Sequence, residues 1–323
     1  MFSMDELRAA ADTVHAHMLP TPQYAWPLLA RRCGAEVWIK HENHTPIGAF
    51  KVRGGLIYLD AHTRSSPDSP GLITATTGNH GQSIPWAARR FGVPVTIYVP
   101  YGNSPEKNRS MRALGAELIE HGKDFDEAWP EAERAAEARG LHFVRSFDEH
   151  LVRGVASYAL ELFESVDDLD AVYVPIGMGS GICGVIRTRD LLGLATKVIG
   201  VVAEKAPAIA HSFAAGRPVA SNSSATFAAG LACRSPAADA VAIITAGTER
   251  IVQVSEDEIA DAMRSYFADT HNAAEGAGAA ALAALVKERE QMLGRKVALV
   301  LSGGNVDSAD LAHVLAGGTP AVG

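Results

Sequence analysis

Hydrophobic and polar positions along this chain fall into short strand-like runs separated by longer helical patterns. Met4 to His17 reads as one amphipathic helix, and Leu19-Pro20-Thr21-Pro22 forces an extended segment behind it. A helical patch over Leu28 to Arg32 leads into a strand over Glu36 to Lys40. Val52, Leu56, Ile57 and Leu59 then keep helical spacing, and Pro46 and Gly48 break the backbone just ahead of them. A polar, proline- and serine-rich link over Arg64 to Pro70 is the first candidate hinge.

From Gly71 onward strand and helix alternate. Strands are predicted over Leu72 to Thr76, Val95 to Val99, Glu117 to Glu120 and Leu141 to Val144. Helices over Ser83 to Phe91, Pro105 to Leu114 and Phe125 to Arg139 separate them. A helix over Val152 to Glu164, a strand over Ala171 to Pro175, a helix over Ile182 to Leu192 and a strand over Lys197 to Val202 continue the alternation. Glu204 to Ala238 is rich in Ala, Ser and Pro and reads as irregular. A strand over Ile251 to Val254, helices over Glu256 to Phe267 and Glu275 to Arg289, and a last strand over Val297 to Leu301 complete the pattern. Strands separated by helices of this length predict parallel sheets with helices on their faces. The expected fold is α/β, with two open, twisted, mainly parallel sheets. Residues 1–71 and 149–323 would make a large domain, with a small mobile domain, 72–148, inserted between them.

A chain of 323 residues has room for about two domains. Its 47% hydrophobic and 20% charged residues are those of a globular protein able to bury cores. The net charge of -8 argues against nucleic acid or an anionic membrane surface as partner. Met1 to Leu19 lacks the apolar core of a signal peptide, and no apolar run reaches the length of a membrane span. A cytoplasmic enzyme is therefore expected. Cys33, Cys183 and Cys233 are scattered without ligand spacing, so buried thiols are expected rather than a disulfide framework or a zinc site.

The stretch His41 to Gly55, H-E-N-H-T-P-I-G-A-F-K-V-R-G-G, carries the first chemistry. Lys51 falls in the first turn of the predicted helix. The partial positive charge of a helix N-terminus and any burial both lower the pKa of a lysine placed there. The neutral amine is nucleophilic, as imine formation with a carbonyl cofactor requires. Two further turns sit where a strand runs into a helix: Thr76-Thr77-Gly78-Asn79-His80-Gly81-Gln82, and Gly177-Met178-Gly179-Ser180-Gly181. Such turns at the carboxyl ends of parallel strands are where open α/β sheets bind ligands. A helix N-terminus offers free N–H groups to an anion, and glycines let the backbone wrap a phosphate. The second turn fails the dinucleotide fingerprint, because Ile182 stands where the third glycine belongs and no suitably placed acidic residue follows. The last strand ends in Ser302-Gly303-Gly304-Asn305.

Taken together, E-N-x-x-P-x-G-A-F-K-x-R-G, the Gly-Asn-His loop, the glycine-rich turn and the Ser-Gly-Gly-Asn end resemble, in order and spacing, the motifs of fold-type II pyridoxal-phosphate enzymes of the serine/threonine dehydratase family. The resemblance runs over essentially the whole chain. It implies a tryptophan synthase β-like fold, pyridoxal 5′-phosphate (PLP) as cofactor, an amino-acid substrate and a homodimer. By the same resemblance Lys51 holds the cofactor as an imine and later removes the substrate α-proton. Phe50 packs near the ring, Asn79 meets its 3′-oxygen, and Ser302 hydrogen-bonds its pyridine nitrogen. Gly177, Met178, Gly179, Ser180 and Gly181 take the phosphate, while Thr76, Thr77, Asn79 and His80 hold the substrate carboxylate.

A neutral hydroxyl at the ring nitrogen leaves the ring a weaker electron sink than a carboxylate does, which suits β-elimination over transamination. The expected reaction is conversion of a β-hydroxy L-amino acid of the serine or threonine type to a 2-oxo acid and ammonia. The family usually has Ser at the place of Thr76. At Thr77 its racemases carry a serine that acts as second acid/base, and many dehydratases carry alanine. The threonine hydroxyl can move protons, though its methyl crowds the site, so racemisation stays an alternative. So does a dehydratase for a bulkier or acidic 3-hydroxy amino acid. A non-catalytic PLP- or phosphate-binding protein fits less well, because a binder need not keep an imine-forming lysine. Some relatives hold a divalent cation beside the strand that ends at Glu204. Glu204 and Ala208 match that set, but Ala210 replaces its second carboxylate, so no metal site is expected. The side-chain pocket is expected around Ser221 to Cys233, and the lack of an added regulatory domain implies a catabolic role.

Overall fold

The computed structural model describes residues 1–322. Ten strands form in chain order: β1 Gln23–Ala25, β2 Glu36–His41, β3 Leu72–Ala75, β4 Val95–Val99, β5 Glu117–Glu120, β6 His142–Phe143, β7 Ala171–Pro175, β8 Lys197–Ala203, β9 Arg250–Val254 and β10 Lys296–Leu301. They make a six-stranded sheet in the order β1-β2-β10-β7-β8-β9 and a four-stranded sheet in the order β5-β4-β3-β6. Every pairing is parallel except β1 with β2. The fold is thus α/β with two mainly parallel sheets and helices on their faces. No helix among the described residues is long and apolar enough to cross a membrane.

Side chains of a strand point alternately to its two faces, and a parallel sheet covered by helices is apolar on both. In β7, Ala171 and Tyr173 enter one core, shared with Val37, Ile39, Leu299 and the alanine-rich helix Gly276–Lys287. Val172 and Val174 enter the other, with Val155, Val185 and Val300. The smaller sheet has its own two faces. Ile97 and Val99 pack with Val52, Leu56 and Leu59 of the helix Lys51–Ser65. Ile73, Ala75 and Tyr98 pack with Ala132 and Ala136 of the helix Phe125–Arg139.

The helix that begins at Lys51 also lies close against the helix Glu149–Ser165. A Cβ at Gly154 would stand 2.3 Å from the Arg53 carbonyl oxygen, and one at Gly54 2.8 Å from that of Leu151. Glycines are what allow the two backbones this approach.

The helices after the two ligand-type turns begin earlier than their apolar spacing indicates, at Asn79 and Ser180. In both, a glycine (Gly78, Gly179) is the cap and the next residue is already helical. The stretch read as irregular contains the helix Ala208–Ala215, and Ala238–Gly247 is a further helix. Both are short and rich in small apolar residues, so no polar stripe marks a period of 3.6. Strand β1 and the helix Ser308–Leu315 likewise lie outside the predicted elements.

Candidate active site

Four turns meet at the carboxyl ends of the strands. The loop before Lys51 is fastened to the end of β10: Phe50 N donates to Ser302 O at 3.0 Å, Gly304 N donates to Gly48 O at 2.9 Å, and Ala49 bridges Gly303. Thr45 Oγ1 closes the loop on itself, accepting from Ala49 N at 2.8 Å. Gly48 has φ +69°, and a Cβ there would meet Asn305 Oδ1 at 2.6 Å, so the turn requires glycine. Phe50 is the N-cap and Lys51 the first helical residue, as the sequence predicts.

Lys51 Nζ donates to Ser180 Oγ at 3.0 Å and stands 5.1 Å from the centre of the Phe50 ring. No salt bridge reaches it among the described residues. Protein packed around this amine, rather than any neighbouring charge, pushes it down to about 8 from the ordinary 10.5.

Ser180 opens the helix Ser180–Leu191, and Gly179 before it has φ +98°. A Cβ at Gly177 would fall 2.2 Å from Gly230 O, which fixes how closely the glycine-rich turn lies on the segment after Ser221. Tyr158 Oη donates to Gly181 O at 3.1 Å from below. Met178 Sδ touches Cys233 Sγ at 3.6 Å. Burial pushes the Cys183 and Cys233 thiols up to about 12, which leaves both inert.

In the turn after β3, Thr76 Oγ1 accepts from Gly78 N at 3.2 Å and shapes the loop. Thr77 is half-buried. His80 is buried; burial and the nearby Lys51 charge push it down to about 3, against the Val144 carbonyl, so its ring is neutral. Its Nε2 has no hydrogen-bond partner among the described residues. Asn79 is held at both ends of its amide: Nδ2 donates to Glu275 Oε1 at 2.7 Å, and Oδ1 accepts from Asn305 Nδ2 at 2.8 Å.

Glu275 is a site residue that the sequence does not reveal. It reads there as the start of a helix and is in fact that helix's N-cap, yet it makes no side-chain cap bond. Its carboxylate turns to Asn79 instead. Burial raises its pKa, against the pull of Lys107 and of the Asn79 hydrogen bond. Glu275, Lys107, Asn305 and Phe227 line a cavity of about 30 Å³ beside the site, room for a water or two. A larger one, about 920 Å³, opens among Leu194, Lys197, Glu249 and Arg250 and holds none of these residues.

Arg53, in the first turn of the same helix, is fully buried and pairs with Glu42 at 2.7 Å and Glu161 at 2.6 Å. Lys40 joins Glu161 at 2.5 Å from β2. Four charges thus tie the start of the Lys51 helix to β2 and to the helix Glu149–Ser165. Glu204 is paired to Lys287 at 3.3 Å, and Ala208 begins the helix that follows.

These residues suit a phosphate-bearing aldehyde. An amine of lowered pKa faces the first turn of a helix entered through glycines. Ser302 is buried at the end of β10, next to the Lys51 loop, and its Oγ makes no hydrogen bond among the described residues. Fold and site together define an enzyme that captures a carbonyl cofactor on a lysine. Residues 14–303 match the family described as pyridoxal-phosphate dependent enzyme. The chain belongs to that family, in its serine/threonine dehydratase branch, and is a PLP-dependent enzyme.

Among its relatives is an L-threonine ammonia-lyase of Thermotoga maritima, 34% identical over 308 residues, which cover 95% of this chain and 76% of the relative. The processed form of threonine deaminase isoform 2 from Solanum lycopersicum superposes with TM-score 0.88 at 28% identity, covering 97% of this chain and 93% of that one. A PLP-dependent aspartate racemase superposes with TM-score 0.90 at 29% identity, covering 96% and 97%.

Proposed function

We propose that this enzyme is an ammonia-lyase for a β-hydroxy L-amino acid of the serine or threonine type, releasing a 2-oxo acid and ammonia. The observation that carries the reading is Lys51: its amine is 3.0 Å from Ser180 at the start of the glycine-rich helix, and burial lowers its pKa to about 8. The relatives named threonine ammonia-lyase and threonine deaminase support the same substrate class.

When bound, the cofactor supplies a carbonyl for the substrate amine and a conjugated ring that takes up the electron pair left at the α-carbon. The rest falls to the chain. Amides of Gly177 to Gly181 and the Ser180 hydroxyl would receive the phosphate. Phe50 would pack beside the ring, and the Ser302 hydroxyl would meet its nitrogen without forcing a proton onto it. Asn79 would donate to the phenolic oxygen. The turn from Thr76 to His80 offers backbone amides to the substrate carboxylate. Lys51 Nζ would take the α-proton, as a general base of matched pKa should. The β-hydroxyl would leave as water with one proton, which balances the α-proton taken up by Lys51, and a water returns when ammonia is hydrolysed off, so the net loss is ammonia.

Thr77 supports racemisation as a second reading, because it is half-buried in the turn after β3 and carries a hydroxyl able to move a proton; the likeness to an aspartate racemase points the same way. Leu19, Tyr24 and Leu28 are exposed around the edge strand β1, which supports a homodimer joined near there. Three free thiols suit the cytoplasm.

The test is a panel of β-hydroxy amino acids, including serine, threonine and 3-hydroxyaspartate, given to the yellow holoenzyme while 2-oxo acid and chirality are followed. Oxo acid from serine or threonine supports the proposal, and inversion alone supports the second reading. Substitution Lys51→Ala should cut turnover by a factor on the order of 10²–10⁴ or more. Native turnover in that variant would overturn the assignment of the base.

A further inference from the structure

The amide of Asn79 has only one way round. Ile47 O, which can only accept, takes a hydrogen from Asn305 Nδ2 at 2.8 Å. The other hydrogen of that Nδ2 goes to Asn79 Oδ1 at 2.8 Å. Asn79 Nδ2 is thereby turned towards Glu275 Oε1, 2.7 Å away. One N–H of Asn79 is spent there and one is left over. The Glu275 backbone is tied to the end of β10, where its N–H donates to Gly303 O at 3.1 Å, and its Oε1 rests against Gly303, where a Cβ would fall 2.4 Å away. Asn79, Glu275, Gly303, Asn305 and Ile47 come from four separate segments, and Ser302, beside Gly303, lies at the foot of the arrangement.

We propose that Glu275 is a positioning residue for the cofactor, holding the amide of Asn79 so that its remaining N–H is presented to the cofactor's phenolic oxygen. The inference rests on the assignment of Asn79 made above and adds Glu275 to it. Glu275 acts through Asn79 and touches neither substrate nor cofactor in this scheme. A carboxylate suits the task because, when ionised, it only accepts, and so cannot turn the amide round. Lys107, on the far side of the small cavity, counters the tendency of burial to protonate it, while Asp307 and Asp310 line the same cavity.

The experiment is a double-mutant cycle on the holoenzyme with Asn79→Ala, Glu275→Ala and the pair, plus Glu275→Gln as a near-isosteric control. Two readouts besides turnover are followed: the cofactor's dissociation constant, and the ratio of its yellow to its near-ultraviolet absorption band at fixed pH. Thermal unfolding of the cofactor-free variants reports whether each folds. A hydrogen bond of this kind corresponds to about tenfold in affinity. Asn79→Ala and Glu275→Ala should each weaken cofactor binding by about that factor and move the band ratio in the same direction. The pair should be no worse than Asn79→Ala alone, and Glu275→Gln, which keeps an acceptor, should stay within about twofold of the parent. If Asn79→Ala moves the bands while folded Glu275→Ala leaves them alone, or if the two effects add, the inference is overturned and Asn79 keeps its role. Bands and affinity untouched by Asn79→Ala would remove both.

Discussion

Arg53, itself fully buried, holds the carboxylate of Glu161 with both terminal nitrogens, Nη1 to Oε1 at 2.6 Å and Nη2 to Oε2 at 2.9 Å. Its remaining donors go to Glu42, Ser157 and Thr21. The planar guanidinium is the one cationic group able to serve two carboxylates at once in this geometry. Breaking a buried pair on one side leaves the other charge unpaired and costs about 3–5 kcal/mol. Arg53→Ala should therefore lower the stability of the cofactor-free protein by about that amount in urea unfolding, and Arg53→Lys by somewhat less. A loss below about 1 kcal/mol, the scale of an exposed ion pair, would show that the cluster does not brace the Lys51 helix.

The same cluster sets an acid limit. Burial alone would push the Glu161 carboxyl up, but Arg53 and Lys40 outweigh it and hold it down at about 2, below the ordinary 4.5. A carboxyl whose folded pKa lies below its unfolded value contributes stability above the unfolded pKa and loses it as pH falls towards the folded one. Folding stability should thus decline as pH drops from 4.5 towards 2, and Glu161→Gln should flatten that decline. Equal slopes in parent and variant over this window would assign the acid sensitivity elsewhere.

Much of this was legible beforehand, and the reasons differ from element to element. Strands β4, β5 and β7 coincide with the predicted spans because each is a short apolar or alternating run bounded by turn residues. Lys51, Ser180 and Ser302 are readable because their motifs are local and continuous in sequence. The Ala238–Gly247 helix is nearly all small apolar residues and offers no period to detect. Glu275 is hidden for another reason: its partner Asn79 is 196 residues away, and nothing near it in the chain records a contact across the fold. A glutamate opening an alanine-rich helix without capping it is the single local sign, and it is visible only once the helix is seen.

Lys51 carries a pH prediction of opposite sense to that of Glu161. Burial lowers this amine to about 8, so a larger share of it is neutral near pH 8 than an ordinary lysine at 10.5 would allow. The nucleophile is the neutral form. Capture of added cofactor by the cofactor-free protein, followed as growth of the yellow band, should quicken as pH rises and level off just above 8. A rate still climbing towards 10.5 would mean that the amine keeps its ordinary basicity.

Gly177 gives the sharpest steric test. Its missing side chain is what lets the glycine-rich turn rest on the segment that the sequence marks as the substrate pocket, since a Cβ there would come within 2.2 Å of Gly230 O. The contact is with backbone, so no rotamer change relieves it. Gly177→Ala must push the turn away from Gly230, and overpacking of this kind costs about 1–3 kcal/mol. The displacement acts on amides proposed to receive the cofactor phosphate, so affinity for PLP should fall by about tenfold or more. Inorganic phosphate in excess should compete with the cofactor in the parent and do so less effectively in the variant. Gly193→Ala is the control: Gly193 stands at positive φ, +65°, and a Cβ there meets nothing within 4 Å. It should cost some stability through backbone strain and leave cofactor affinity unchanged. If both variants lose affinity equally, general destabilisation explains the loss. If only Gly177→Ala does, the tight seat of the turn on Gly230 sets the phosphate geometry.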